Sequence, residues 1–120
     1  MLSTKSLQTL SNSEDGLRVC VMRRIKPEYD FDIWAPILAP SEDLLQRYVI
    51  NQEISWDEFR PLFLEELHKK GERFLNFLCN LATKQNVTLL CWEKKPDYCH
   101  RRLLAEKCQE LYPDLKIDIA

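Results

Sequence analysis

The stretch from Val87 to Leu111 constrains this chain most. Val-Thr-Leu-Leu-Cys-Trp-Glu, residues 87–93, is short, apolar and rich in strand-forming residues, as in a strand buried on both faces. Lys94-Lys95-Pro96-Asp97-Tyr98 is a polar turn in which Pro96 holds Lys95 extended and Asp97 is placed to cap a helix. The helix follows as Cys99 to Leu111, with Leu104, Cys108 and Leu111 on its buried stripe and His100 one turn before Leu104. A buried strand turning directly into a helix commits a sheet to parallel pairing with helical crossovers.

The rest of the chain agrees with that commitment. Leu17 to Arg23 is a second apolar run suited to a central strand, and Pro27 forbids its extension. Residues 26–40 form a long connection carrying Pro27, Pro36, Pro40, Tyr29, Phe31 and Trp34, suited to packing as a lid over the sheet end or as plain surface. Ser41 caps a helix with Glu42 and Asp43 in its first turn and Leu44, Leu45, Tyr48 and Val49 as its stripe. Ser55-Trp56-Asp57-Glu58 is a capping box, with Ile54 and Phe59 spaced as a staple. That helix carries Phe59, Leu62, Phe63 and Leu67, should bend at Pro61, and meets a cap or break at Gly71. A third helix, Glu72 to Lys84, puts Phe74, Phe77, Leu78, Leu81 and Ala82 on one face. Leu115 to Ile119 is a last short strand. Residues 1–16 are polar and read as a disordered leader, or as an edge strand over Thr4 to Leu10. The expected fold is one α/β domain over 1–120, a small three-layer sandwich with a mostly parallel short sheet and helices on both faces.

Composition narrows the partners. A formal net charge of −2 argues against non-specific nucleic-acid or membrane-surface binding. The basic residues are nonetheless clustered, Arg23, Arg24 and Lys26 in one place and Lys94, Lys95, Arg101 and Arg102 in another, which suggests a local site for a small anionic ligand. Arg102 itself reads as a solvated charge. Five cysteines, with no signal peptide and no apolar run near the ~18 residues of a membrane span, suit a reducing cytoplasm with free thiols. Cys20, Cys79 and Cys108 read as small buried hydrophobes. Nothing in the sequence sets the oligomeric state.

The chemistry-bearing residues collect around the opening stretch. Strand alternation points Cys91 and Glu93 the same way at the strand exit, where parallel pairing should bring Arg23 or Arg24. Cys99, His100 and Arg101 are expected in the first helical turn, whose free N–H groups and dipole favour anions and lower a thiol pKa. Cys99 is the candidate nucleophile or acid, His100 its proton partner, and Glu93 an orienter or base with Cys91 beside it. Arg23, Arg24 and Arg101 are candidate anion clamps, with Trp34 as a ligand contact. The plain alternative for His100 is a hydrogen-bonded core histidine. A zinc site from Cys91, Cys99 and His100 lacks a CxxC pair and an evident fourth ligand, so neither metal nor cofactor is expected.

Ser-Glu-Asp-Gly-Leu-Arg-Val-Cys-Val-Met-Arg-Arg, Trp-Asp-Glu-Phe-Arg-Pro-Leu-Phe-Leu-Glu-Glu-Leu and above all Pro-Asp-Tyr-Cys-His-Arg-Arg-Leu-Leu-Ala resemble domain-of-unknown-function family 488, including its YeaO-like branch. The likeness covers nearly the whole chain and implies an α/β fold with a pocket at the Cys-His-Arg signature. It departs at Arg23-Arg24-Ile25-Lys26-Pro27, where that branch has an Arg-Leu-Trp-Pro-Arg-Gly type of segment. The family implies no activity. The residues themselves suggest an enzyme acting on a nucleotide-like or other anionic substrate through a reactive cysteine. The alternatives are a non-catalytic ligand-binding or sensor module using the same pocket, and a partner-binding domain using the Trp34 loop.

Overall fold

The apolar runs pair as parallel strands. The computed structural model describes residues 1–120 and contains β1 (Leu2–Ser6), β2 (Leu17–Cys20), β3 (Ile33–Trp34), β4 (Val87–Cys91) and β5 (Ile117–Ile119). They form one sheet in the order β3-β2-β4-β1-β5, every pairing parallel. Val87 is in register with Leu2 on one side and Leu17 on the other, and all five residues of β4 are buried.

Residues 2–6 form an inner strand rather than a disordered segment or an edge. β1 lies between β4 and β5, with Leu2, Thr4 and Ser6 buried. Its polar side chains hid it in the sequence, yet they find distant partners. Thr4 Oγ1 donates to the Ala120 carbonyl at 2.9 Å, and Ser6 Oγ to the Trp92 carbonyl at 3.0 Å. A buried hydroxyl that is hydrogen-bonded costs little.

Helix starts follow their caps. α1 (Glu42–Leu45) begins at Ser41, whose Oγ accepts from the Leu44 N–H at 3.2 Å, and it runs on through a wide turn at Gln46–Ile50. α2 (Trp56–Glu66) begins with the Ser55–Glu58 capping box closed in both directions and continues past Pro61. A second wide turn, Leu67–Gly71, carries α2 straight into α3 (Glu72–Ala82). Gly71 is thus no cap or break. It is buried where a Cβ would lie 2.7 Å from the Ile37 carbonyl oxygen, so its bare Cα lets the Pro36–Leu38 turn pack against the helix.

α3 is rotated from the expected face. Leu75, Leu78, Cys79 and Ala82 are buried, whereas Phe77 is 62 % exposed. The rotation turns Cys79 toward α4 (His100–Leu111), where it forms a disulfide with Cys108 across a Cα–Cα distance of 5.8 Å. These two cysteines are therefore not free; Cys20, Cys91 and Cys99 are.

The parallel α/β sheet with its helices is the architecture the sequence implied, and its layers are uneven. Leu2, Val19, Val21, Val87 and Leu89 share a core with Phe59, Phe63, Leu75, Leu78 and Leu104 of the helices. The opposite face carries Lys5, Arg18 and Thr88, covered by the short 3-10 turn Ser13–Asp15 rather than an α-helix. Asp15 pairs there with Lys5 and Arg18, and its backbone carbonyl accepts from Thr88 Oγ1 at 2.7 Å. No helix is long and apolar enough to cross a membrane.

Candidate active site

β4 is the middle strand, with β2 and β1 on its flanks. The chain leaves β1 and β2 toward one edge of the sheet and leaves β4 toward the other, so a crevice opens at the carboxyl end of β4. Three segments reach it: Cys91 to Glu93 from β4, Val21 to Arg24 from β2, and the start of α4. Cys99 takes the N-cap position that the sequence had given to Asp97, with no side-chain capping bond, so α4 begins at His100.

Four side chains converge. Cys91 Sγ donates to Glu93 Oε2 at 2.9 Å, and Cys99 Sγ lies 3.4 Å from the same oxygen. His100 Nε2 is 2.6 Å from the Val21 carbonyl oxygen. A carbonyl can only accept, so Nε2 carries a hydrogen and Nδ1 is left facing the sulfurs, 3.9 Å from Cys91 Sγ. Phe63 holds the imidazole edge-on at 5.5 Å between ring centroids. His100 is thus both the buried, hydrogen-bonded histidine of the plain reading and a member of the cluster.

The electrostatics separate the two thiols. Cys91 is pushed well above the usual thiol range by its pairing with Cys99, by burial and by the Glu93 charge. Cys99 is drawn down to about 6, first by Cys91 and then, against the penalty of burial, by His100. Burial opposes charge on His100, but the neighbouring Cys99 outweighs it and raises the imidazole. Burial also opposes charge on Glu93, and the Cys91 hydrogen bond leads the contacts that hold it below the usual carboxylate range.

The cluster floors a cavity of about 250 Å³. Leu45, Tyr48, Val49 and Ile50 of α1 and its wide turn form one wall together with Phe59 of α2. Met22, Arg23 and Arg24 form the facing side, with Trp92 and Tyr98 also lining it. Tyr48 stacks on Phe59 at 4.2 Å, and its hydroxyl donates to the Tyr98 carbonyl at 3.0 Å. Burial, with Cys99 and Glu93 nearby, pushes the Tyr48 phenol up to about 12, so it stays neutral. Tyr48, Phe59 and Tyr98 were not singled out as site residues. Tyr48 and Phe59 signalled only aromatic content on core-facing helical stripes, which ordinary packing produces equally well, and Tyr98 only an aromatic in the polar turn before α4.

The basic residues divide. Arg23 is anchored by donating from Nε and one terminal nitrogen to the Pro40 and Pro36 carbonyls, both at 3.0 Å. Arg24 pairs with Glu42 at the exposed rim. Arg101 does not line the cavity. It is wholly buried, and it donates to the carbonyls of Glu93 at 2.8 Å, Ala120 at 3.1 Å and Lys94 at 3.5 Å, with one nitrogen 3.5 Å from Cys99 Sγ. Arg102 pairs with Glu106 on the helix surface. Trp34 also lies outside the cavity, half-exposed on β3, with its indole N–H on the Met22 carbonyl at 2.8 Å.

A family model described as the active DUF488-N3 subclade matches residues 2–111, a span that includes every residue of the cluster. That description names the N3 subclade where the sequence likeness named the YeaO-like branch. No curated protein and no solved structure matches the chain.

Proposed function

The chain belongs to the DUF488 family, and from that premise we propose that it is a thiol-dependent enzyme in which Cys99 attacks an electrophilic carbon of a planar, anionic, nucleotide-like substrate. The observation that carries this reading is the meeting of Cys99, Cys91, Glu93 and His100 Nδ1 at the floor of a cavity with aromatic walls and an arginine rim. Sulfur would bond to carbon as the leaving group departs with its electron pair and takes a proton from His100 Nδ1. Water, losing a proton to the now neutral Nδ1, would then displace the thiolate and restore the starting state. Tyr48 and Phe59 suit a flat group, and Arg23 and Arg24 suit an anion at the mouth. The description of the matching subclade as active agrees with catalysis.

Alkylation by iodoacetamide, located by mass spectrometry in chelator-treated protein, tests the nucleophile. Cys99 should react faster at neutral pH than a free small-molecule thiol, and no faster rate would overturn the role. Thermal stabilisation by a nucleoside monophosphate tests the ligand class. The shift should persist in Cys99→Ser and shrink in Arg24→Ala, and no shift in either protein would remove the nucleotide-like substrate.

A further inference from the structure

The same four side chains have a second capacity, and it does not depend on Cys99 being a nucleophile. Cys91 Sγ, Cys99 Sγ and a His100 ring nitrogen all lie within 4.8 Å of one another, and Glu93 Oε2 lies 2.9 Å and 3.4 Å from the two sulfurs. We propose that Cys91, Cys99, His100 and Glu93 form a four-ligand site for a soft divalent cation, Zn²⁺ above all, whose occupancy withdraws Cys99 from reaction.

Three observations support this. The donor set is right, because thiolate and imidazole select zinc and a carboxylate completes the four. Glu93 supplies the ligand that sequence spacing alone did not reveal. The distances suit it as well. A tetrahedral zinc, with bonds near 2.3 Å to sulfur and 2.0–2.1 Å to nitrogen or oxygen, separates each sulfur from the other ligand atoms by about 3.5–3.8 Å. The observed 3.4 Å and 3.9 Å separations bracket that range, and the 2.9 Å contact opens once the Cys91 proton leaves.

The surroundings are also those of a ligating cluster. Zinc-bound imidazole characteristically donates its other N–H to a carbonyl or carboxylate, and His100 Nε2 already donates to Val21 at 2.6 Å. Two thiolates, one carboxylate and neutral imidazole around Zn²⁺ leave one net negative charge, and the buried Arg101 guanidinium 3.5 Å from Cys99 Sγ faces it. Binding releases the Cys91 thiol proton, together with any proton on Cys99 or His100 Nδ1, to solvent and breaks no covalent heavy-atom bond. Once bound, the Cys99 lone pair is committed to metal, so zinc would act as a reversible brake on the thiol.

Cobalt(II) added to chelator-treated, reduced protein is the test. One equivalent should give tetrahedral d–d bands and a thiolate-to-cobalt charge-transfer band, and Zn²⁺ should displace it. Loss of even a second-shell partner typically weakens metal by 10–100-fold, so Cys91→Ser and Glu93→Gln should each weaken binding at least about tenfold. Cys20→Ser, a buried thiol outside the cluster, should leave it unchanged. Far-ultraviolet circular dichroism checks that each variant folds, with Glu93→Gln as the mildest in shape. Saturating Zn²⁺ should also slow Cys99 alkylation by roughly tenfold or more.

Cobalt bound without a charge-transfer band, or bound equally well by Cys91→Ser and Glu93→Gln, would overturn the site. Alkylation as fast with Zn²⁺ as without would overturn the brake. A full cobalt spectrum on a protein whose metal-free Cys99 alkylates slowly would support the site while removing the nucleophile, so the two readings fail separately.

Discussion

Arg101 shows what single residues can and cannot disclose in sequence. Beside Cys99 and His100 it reads as a ligand clamp, yet its guanidinium turns inward and is consumed by the carbonyls of Glu93, Lys94 and Ala120. Nothing local fixes which way a long side chain in a first helical turn will point. The Cys91–Glu93 pairing, by contrast, was legible, because strand alternation alone puts both on one face. Arg101→Lys cannot reproduce the planar fork, and it should cost about 2–3 kcal/mol in chemical denaturation. Arg24→Ala should leave the unfolding midpoint unchanged, since its ion pair with Glu42 is more than half exposed. Equal destabilisation by the two changes would contradict these assignments. Asp15 belongs to the same scale. Burial opposes its charge, but Lys5, the Asn12 N–H and Arg18 outweigh it and hold the carboxyl below its ordinary 3.8. A depressed folded-state pKa contributes stability that is complete above the unfolded value and is lost as pH falls through the folded one. Wild-type protein should therefore lose this contribution only below about pH 4. Asp15→Asn should be less stable at neutral pH with a shallower acid limb, as read by urea denaturation across pH, and matching curves would show that the ion pairs contribute nothing.

At the scale of elements, what was local was legible. Ser41 and Ser55 announce α1 and α2, because a cap needs only residues three positions apart. β1 was not legible, because Thr4 and Ser6 are satisfied by Ala120 and Trp92, partners that lie far along the chain. α3 was legible as a helix but not in its orientation, since Phe74 and Phe77 offer as apolar a face as Leu75 and Leu78. Packing against α4, β4 and the Pro36–Leu38 turn decides between them. Gly71 presents an analogous ambiguity, with chain punctuation and close approach written by the same residue. Gly71→Ala should destabilise by about 1–3 kcal/mol, because the obstacle 2.7 Å away is the Ile37 backbone rather than a flexible side chain. A neutral result in thermal unfolding would mean that the Pro36–Leu38 turn yields freely.

Across the whole molecule, the Cys79–Cys108 bond joins α3 to α4 over a separation of 29 residues. A loop of that size predicts a loss of about 2–4 kcal/mol when both are replaced by Ala, or a comparable fall in the midpoint under reductant. No change in either measurement would show that helix packing alone holds the pair of helices. The cavity itself has unlike sides. One is anchored to β4, whose neighbours on both flanks bury every residue it has. The other ends in the wide turn Gln46–Ile50, where Val49 and Ile50 are about half exposed. Segments with few buried contacts open first. A guest larger than 250 Å³ would thus be admitted by a yielding jaw at residues 46–50, while the sulfurs and imidazole on the stiff jaw keep their spacing.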